Sequence, residues 1–391
     1  MAMDDPARLR EPIYLDYNAT TPVDSRVVDA MLPYLTRYPG NPSSGHCCGT
    51  SPREAVTAAR SQVGSIVGAS GADVIFCGSG SEANNLAIRG TVLASTAARR
   101  HVVTQLTEHP SVLAACRSLE RLHGVEVTYL QVDGDGRVDP QVLSEVITPR
   151  TVLVSIMHAN NETGVVQPVA DLARIAHDRG ALFHTDAAQT VGKVPVSVPD
   201  LDVDLLTIVG HKMYAPKGIA ALYRRPGVSL EPIVYGGGQE HGLRAGTENV
   251  AGVVALGTSA ELAARELASG RAEELRELRD LLFRHLEERL PGRVQVNGDR
   301  EHRLPHVLNM SLDGIDADEL LSATSSSLAA STGSACHAGG TEPSPVLTAM
   351  GVDDRRARGT LRLSIGRWTS VDDVERAAHL IATAAASYGA P

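Results

Sequence analysis

Lysine is the residue whose rarity first suggests chemistry in this chain. Only three lysines, Lys193, Lys212 and Lys217, stand among the 36 Lys and Arg residues of the sequence. A lysine amine can lose its proton and attack a carbonyl, which an arginine cannot do. Because Lys212 directly follows an apolar run that predicts a buried strand, 205–209, we interpret it as a nucleophile. A codon bias that leaves three lysines at random is the alternative, and we favour it for Lys193 and Lys217.

Polar residues follow several of the runs that we predict to be strands. Cys77-Gly78-Ser79-Gly80-Ser81-Glu82 opens a predicted helix with small residues and a hydroxyl. The free N–H groups and the dipole of such a helix end can bind an anion. The alternative is a tight turn in which Ser81 is only the helix N-cap. Polar clusters also follow three other predicted strands, at 107–109, 158–162 and 184–189.

These residue types together suit pyridoxal phosphate. This cofactor needs an amine for a Schiff base, an anion site for its phosphate and a carboxylate that keeps its ring nitrogen protonated. Lys212, the turn at Ser81 and Asp186 would supply the three groups. The flat ring of His109 can stack on the cofactor, and Gln189 can donate a hydrogen bond to its phenolic oxygen.

One cysteine stands in a run of small residues near the C-terminal end. The segment 331–340 contains Cys336 beside His337 and has no apolar anchor, which predicts an exposed, flexible loop. Accessible cysteines beside groups that favour the thiolate are often reactive. We therefore interpret Cys336 as a nucleophile, with an incidental surface thiol as the alternative.

The other cysteines indicate neither a disulfide framework nor a metal site. Five cysteines, an odd number in a chain of 391 residues, are not typical of a disulfide-bonded fold. Cys47 and Cys48 follow His46, but adjacent cysteines lack the spacing of metal ligands. Cys77 and Cys116 are expected to be buried small residues.

Bulk composition excludes several classes of protein. The net charge is −10 and no basic run is present, which argues against nucleic acid as a main partner. No segment approaches the roughly 20 apolar residues of a membrane span. The first ten residues are polar and do not resemble a secretory signal. These features predict a soluble cytoplasmic protein.

Short apolar runs alternate with helical patterns from about residue 74 to 223, which predicts an α/β fold. Continuous apolar strands between helices indicate a mostly parallel sheet covered on both faces, whose ligands gather at the carboxyl ends of the strands. The predicted helices are 82–98, 111–122 and 169–179. The seven predicted strands are 74–76, 102–104, 125–130, 152–156, 182–184, 205–209 and 219–223.

A second, smaller α+β domain is expected after this region. One long charged helix, 261–290, should connect the two domains, with its leucines on one face. Strands are predicted at 294–296, 306–311 and 360–364, and a closing helix at 371–386. We expect a large domain at 19–260 and a small domain built from 1–18 and 261–391, which carries the Cys336 loop.

The motifs resemble those of the class V, fold-type I pyridoxal-phosphate enzymes, and within them the group I cysteine desulfurases of the iron–sulfur-assembly type. The resemblance runs from Tyr14 to about Arg367, nearly the whole chain. Its most specific parts are Gly40-Asn41-Pro42-Ser43-Ser44, Thr107-Glu108-His109, 155–164, 184–193, Gly210-His211-Lys212, 236–247 and Ser334-Ala335-Cys336.

The resemblance implies a role for each matching residue. Lys212 would carry the cofactor, His109 would stack on its ring, Asp186 would pair with the ring nitrogen, and Cys336 would take the sulfur of L-cysteine and leave L-alanine. A homodimer and a protein that accepts the sulfur are also implied. The remaining implied contacts are Asn161 and Gln189 to the ring, Gly80, Ser81 and His211 to the phosphate, Thr247 from the second subunit, and Arg362 with Asn18 at the substrate carboxylate.

Departures from the family pattern leave alternatives open. Val209 stands where many relatives have a phosphate-binding serine, and Ser81 replaces a commoner threonine. Val209, the motif 236–240 and Ala335-Cys336-His337 are also similar to selenocysteine lyases, so the chalcogen preference stays open. A fold-type I aminotransferase is a further alternative. A thiol or metal-binding protein without the cofactor, which uses His46, Cys47, Cys48 and Cys336, is another.

Overall fold

A seven-stranded sheet forms the centre of the computed structural model, which describes residues 12–95, 100–332 and 343–387. The strands of the described residues are β1 (Ile13–Tyr14), β2 (Val74–Cys77), β3 (His101–Gln105), β4 (Glu126–Leu130), β5 (Thr151–Ser155), β6 (Leu182–Asp186), β7 (Leu205–Val209), β8 (Ala220–Arg224), β9 (Val294–Val296), β10 (Val307–Leu312), β11 (Leu328–Ala329) and β12 (Thr360–Ser364).

Helices surround the sheets. They are α1 (Ser25–Thr36), α2 (Cys47–Ile66), α3 (Gly80–Ala94), α4 (Pro110–His123), α5 (Pro140–Val146), α6 (Val169–Asp178), α7 (Val198–Leu201), α8 (Val250–Ala268), α9 (Arg271–Arg289), α10 (Ala317–Thr324), α11 (Pro345–Ala349), α12 (Asp354–Arg358) and α13 (Val371–Ala386). Across the described ranges, none of them combines the length and the apolar character that a membrane span requires.

The central sheet has the strand order β2-β8-β7-β6-β5-β3-β4. Only β8 runs antiparallel to its neighbours, β2 and β7, and the other pairings are parallel. Every residue of β2, β3, β5 and β7 is buried, as continuous apolar strands covered on both faces must be. All seven predicted strands are present within one or two residues, and the α/β prediction is confirmed.

A second sheet lies in the C-terminal part of the chain. Its order is β12-β10-β9 and its pairings are antiparallel. Its apolar core includes residues of α9, α10 and α13, together with Ile13 and Leu15 from the N-terminal segment. The boundaries predicted for the two domains, 19–260 and 1–18 with 261–391, stay a prediction.

The prediction of one long helix at 261–290 is wrong. Two helices, α8 and α9, occupy this region and are separated by Ser269 and Gly270. Gly270 has a φ of 87°, a left-handed conformation that no continuous α-helix contains and that glycine adopts at no steric cost. Leu275, Leu282 and Leu286 of α9 are nevertheless buried on one face, as the leucine spacing predicted.

Candidate active site

A cavity of about 490 Å³ is lined by residues that follow β2, β3, β5, β6 and β7. Because these strands point the same way, the side chains that follow them meet at one edge of the sheet. Thr247 is exposed and is not among the lining residues, and Cys336 lies outside the described residues. The predicted site residues that the fold brings together in the cavity are Asn18, Gly80, Ser81, His109, Asn161, Asp186, Gln189, His211, Lys212 and Arg362.

Lys212 reaches the cavity from a single 3-10 turn, Gly210–Lys212, which follows β7. Its Nζ donates to the backbone oxygen of Ala19 at 2.8 Å and also to that of Asn18. Both acceptors are neutral backbone carbonyls. These contacts hold the amine at the wall of the cavity, where a carbonyl ligand could reach it.

The N-terminus of α3 forms another wall of the cavity. Ser79, not Ser81, is the N-cap, because its hydroxyl accepts the N–H of Glu82 at 3.1 Å. The alternative that assigned the cap to Ser81 is therefore wrong. The N–H groups of Gly80 and Ser81 belong to the first helical turn, where no backbone acceptor within the helix can reach them. They can donate to an anion such as a phosphate.

The side chain of Val209 lies against the first residue of α3. A Cβ added at residue 80 would lie 2.6 Å from Cγ2 of Val209, closer than two carbon atoms can approach. Glycine at position 80 is therefore required by its neighbour on β7. The valine side chain therefore occupies the space beside the start of α3.

A chain of hydrogen bonds joins the carboxylate at the end of β6 to the histidine at the start of α4. Asp186 accepts the amide of Asn84 at 2.7 Å and the backbone N–H of Ala188 at 2.9 Å. The Asn84 amide also donates to the hydroxyl of Ser111 at 2.9 Å. The Ser111 hydroxyl lies 2.8 Å from Nδ1 of His109. Asp186 and His109 are thereby fixed relative to one another.

The surroundings of the two cavity histidines, His109 and His211, favour their uncharged forms. Nδ1 of His109 accepts the backbone N–H of Ser111 at 3.1 Å, so that the ring proton resides on Nε2. Burial lowers the pKa of His109, against the attraction of Asp186. Burial also lowers the pKa of His211 to about 4, with help from the charges of Lys212 and Lys217. A neutral His109 ring can stack on a flat ligand without the cost of a buried charge.

Arg362, on β12, brings a guanidinium to the wall of the cavity. Its guanidinium is almost fully buried, donates to Asp16 at 2.8 Å and to the backbone oxygen of Asn161 at 3.2 Å, and leaves Nε unpaired among the described residues. The amide of Asn18 donates to the same Asn161 oxygen at 3.1 Å. This arrangement can bind a carboxylate, because a guanidinium offers donors in a planar fork.

Sequence reasoning assigned no individual role to three residues that the structure places at or beside the site, Asn84, Ser111 and Glu108. Asn84 lies four residues after Gly80, one turn along the same helix face, and this spacing was the available signal. Ser111 follows His109 by two residues, a short-range pattern typical of a cap. Glu108 is fully buried; it accepts the N–H of Met157 at 2.6 Å, and burial raises its pKa to about 8.

The cysteines described by the structure behave as expected. Cys77 and Cys116 are buried, whereas Cys47 and Cys48 are exposed at the start of α2. Within residues 12–95, 100–332 and 343–387, no cluster of three or more histidine, cysteine or acidic side chains could hold a metal. The described residues therefore give no support to the metal-binding alternative.

Comparison with known proteins identifies the family. The family described as Aminotransferase class-V matches residues 13–377. The chain belongs to the class-V aminotransferases. Enzymes of this family depend on pyridoxal phosphate, so both the predicted family and the predicted cofactor are confirmed.

Individual members of the family match over nearly the full chain. A protein of Dictyoglomus turgidum named cysteine desulfurase IscS is 44% identical and covers 94% of this chain and 92% of its own. A solved structure titled NifS-like protein has a TM-score of 0.89 and 34% identity, with coverage of 96% and 100%. A third relative, titled SspA in complex with cysteine, has a TM-score of 0.80 and 35% identity, with coverage of 91% and 99%.

The residues of the cavity fit the family's cofactor. An amine, a carboxylate and a helix N-terminus are present together, and they match the aldehyde, the ring nitrogen and the phosphate of pyridoxal phosphate. The buried Oε1 of Gln189 and the buried Oδ1 of Asn84 have no hydrogen-bond partner among the described residues. Buried polar atoms without partners are costly, so their presence around a cavity indicates that a polar ligand belongs there.

Proposed function

We propose that this protein is a pyridoxal-phosphate-dependent cysteine desulfurase, which takes sulfur from L-cysteine, releases L-alanine and holds the sulfur as a persulfide on Cys336. The observation that supports it best is that Lys212, Asp186 and the start of α3 share one cavity with Arg362. The choice of L-cysteine rests on relatives named cysteine desulfurase that are 44–46% identical over more than nine tenths of the chain.

Each cavity residue has a defined task toward the cofactor. When bound, pyridoxal phosphate supplies an aldehyde for amines and a ring that accepts electrons from the substrate Cα. Lys212 would bind the aldehyde carbon, and Asp186, held by Asn84, would keep a proton on the ring nitrogen. The neutral imidazole of His109 would cover the ring. The phosphate would lie at Gly80 and Ser81, with His211 beside it, and Asn161 and Gln189 would contact the ring.

Substrate binding would use the part of the cavity around Arg362. Arg362 would bind the carboxylate of L-cysteine, with Asn18 beside it. The Lys212 amine, when it is not bound to the cofactor, would take the proton from the substrate Cα. Arg362 and Lys212 both contact the segment 16–19, which would hold the substrate carboxylate and the base in a constant relation.

The sulfur transfer assigned to Cys336 balances without an external oxidant. Its thiolate attacks the substrate sulfur, a sulfur–sulfur bond forms and the substrate carbon–sulfur bond breaks. The electron pair of the broken bond stays on carbon, which then takes a proton to become the methyl group of alanine. A protein that accepts the sulfur is the further partner in this proposal.

A homodimer is part of the proposal. On α1 and just after it, the apolar residues Val28, Leu32, Leu35 and Tyr38 are exposed by 43–64%. The spacing of Val28, Leu32 and Leu35 places these three residues on one face of α1. An exposed apolar face typically packs against another protein. Thr247, which is exposed on the segment after the 3-10 turn Gln239–Gly242, would complete the phosphate site of the second subunit.

The proposal is tested by separating cofactor binding from sulfur transfer. Cys336→Ala should keep the cofactor absorbance and its response to L-cysteine, while alanine and sulfide formation fall to background. Cys47→Ala, which removes an exposed thiol elsewhere, should behave as the parent protein. Normal turnover by Cys336→Ala would contradict the persulfide step.

Borohydride reduction and peptide mapping test the other half of the proposal. The label should lie at Lys212 and should be absent in Lys212→Ala. If the cofactor-loaded parent protein carries no label at Lys212, this residue is not the amine that binds the cofactor. The same assay with L-selenocysteine distinguishes the two chalcogens, since turnover confined to L-selenocysteine would identify a selenocysteine lyase instead.

A further inference from the structure

Lys193 is a buried lysine that the mechanism above does not use. It follows β6 by seven residues, is 4% exposed, and takes part in none of the ion pairs found among the described residues. Its Nζ lies 3.3 Å from Nε2 of His306, which is fully buried and directly precedes β10. A lysine without a carboxylate partner at this depth is costly as an ammonium ion.

Hydrogen-bond geometry defines the protonation of His306. The Asn18 amide donates through Nδ2 to the backbone oxygen of Asn161, so that its Oδ1 is the atom 3.0 Å from Nε2 of His306. An amide oxygen only accepts, which requires a proton on Nε2. Nδ1 of His306 has no partner among the described residues, and a second proton there would bury both a charge and an unsatisfied donor. His306 is therefore neutral.

The protonation of Lys193 follows from that of His306. An ammonium group has three donors and no acceptor, so a charged Lys193 would place an N–H group against the N–H of His306. A neutral amine offers a lone pair instead and can share the Nε2 proton with Asn18. The pair therefore fits together when both side chains are uncharged.

Positive charges around Lys193 favour the same state. The small cavity beside it is lined by Tyr214, Arg271, Arg367 and Glu266, but the carboxylate of Glu266 is 2.7 Å from Arg367 and is neutralised by it. Burial, followed by the charges of Lys212 and Arg367, lowers the pKa of Lys193 to about 7. Burial, together with Lys193 and Arg279, holds the pKa of His306 well below its ordinary value.

Asn18 connects this pair to the reaction site. Its backbone oxygen accepts Lys212 Nζ and the amide of Gln189, and its backbone N–H donates to Ser364. The Asn161 oxygen that binds its side chain also binds Arg362. A shift of Asn18 would therefore move the base and the carboxylate-binding guanidinium relative to one another.

We propose that Lys193 and His306 form a buried positioning pair that holds Asn18 only while both side chains are uncharged, and that protonation of Lys193 loosens the substrate-binding side of the cavity. This inference rests on the proposed function for its effect on the substrate. The charge state of Lys193 can be measured independently of any activity.

The first experiment titrates the lysines directly. Because the chain has only three lysines, protein labelled with ¹³C at lysine Cε gives few signals, and the signal absent from Lys193→Met identifies residue 193. In the cofactor-loaded protein this signal should titrate near pH 7. A signal that stays that of an ammonium group up to the ordinary lysine value of 10.5 would overturn the proposal.

The second experiment compares an uncharged and a permanently charged replacement. Lys193→Arg should raise KM for L-cysteine by about tenfold at every pH with a smaller change in kcat, the effect of losing roughly 1.4 kcal/mol of positioning. Methionine cannot be protonated, so in Lys193→Met the KM for L-cysteine should increase less as the pH falls below 7 than it does in the parent protein. Arg174→Met removes an exposed charge on α6 and should keep the parent profile.

The outcomes separate this inference from the proposed function. Parallel pH profiles of KM for the parent protein and Lys193→Met would overturn the positioning role while the desulfurase activity stands. Absence of alanine formation in the parent protein would refute the proposed function. The lysine titration would then still decide whether the pair is uncharged.

Discussion

The side-chain amide of Asn84 donates a hydrogen bond of 2.7 Å to the carboxylate of Asp186. Asn84 is buried in the second turn of α3, and Asp186 is the last residue of β6. The bond therefore joins the helix that we propose for the phosphate to the carboxylate that we propose for the ring nitrogen. A carboxylate that is fixed in this way keeps its place while the ring nitrogen gains or shares a proton.

Asn84→Leu, which keeps the volume but removes the donor, should weaken cofactor binding by about tenfold or more. A hydrogen bond to a charged group contributes roughly 1.5–3 kcal/mol, and the Asp186 oxygen would lose its partner. Cofactor dissociation followed by absorbance measures the effect. Asn85→Leu is the matched control, since Asn85 donates to the backbone oxygen of Ser81 and, within the described ranges, to no carboxylate. Equal cofactor retention by the two variants would contradict the assigned role of Asn84.

Gly80→Ala should weaken binding of the cofactor phosphate, because the new Cβ would lie 2.6 Å from Val209 and one of the two must move. Alanine is otherwise the better helix former, so the helix itself should not suffer. Val209→Ala in the same chain removes the clash and should restore cofactor affinity. If the double variant binds the cofactor no better than Gly80→Ala alone, the contact between these residues is not the cause.

Glu108→Gln should flatten the dependence of stability on pH. The folded protein keeps the Glu108 proton up to about pH 8, whereas an unfolded chain releases it near pH 4.5. Between these values the folded state binds more protons, so the free energy of unfolding falls as pH rises. The fall amounts to a few kcal/mol at roughly 1.4 kcal/mol per pKa unit, and glutamine removes it.

Urea unfolding across this pH range measures the effect of Glu108→Gln. Glu145→Gln, at an exposed position on α5, is the control and should follow the parent protein. If the free energy of unfolding changes with pH equally in the parent protein and in Glu108→Gln, Glu108 is ionised in the folded state.

Leu35→Glu should convert the proposed dimer into monomers. The substitution places a charge at the most exposed residue of the apolar face of α1, where it would have to be buried in the interface. Sedimentation analysis gives the mass. Leu122→Glu on α4, where the leucine is similarly exposed at 57%, is the control and should leave the mass unchanged. A parent protein that sediments as a monomer would itself refute the dimer.

Local patterns in the sequence were sufficient for much of the fold. Apolar runs bounded by small and polar residues predicted the seven strands of the central sheet, because burial on both faces leaves a continuous signal along the chain. The single helix at 261–290 failed because a glycine can either continue a helix or end it in a left-handed turn. Two helices at the N-terminal end, α1 and α2, were not predicted. In α1 the apolar residues Val28, Leu32 and Leu35 are exposed, so the apolar pattern does not mark a single buried face.

The sequence by itself determined the chemistry available at the carboxyl ends of the strands, since an amine after β7 and a carboxylate after β6 must meet wherever parallel strands form. Only the tertiary structure decided the supporting contacts. Asn84 with Asp186, Gly80 with Val209, and Lys193 with His306 join residues more than 100 positions apart. Such partners depend on how whole elements pack, and the periodicity of a single segment carries no signal of the side chain that will face it.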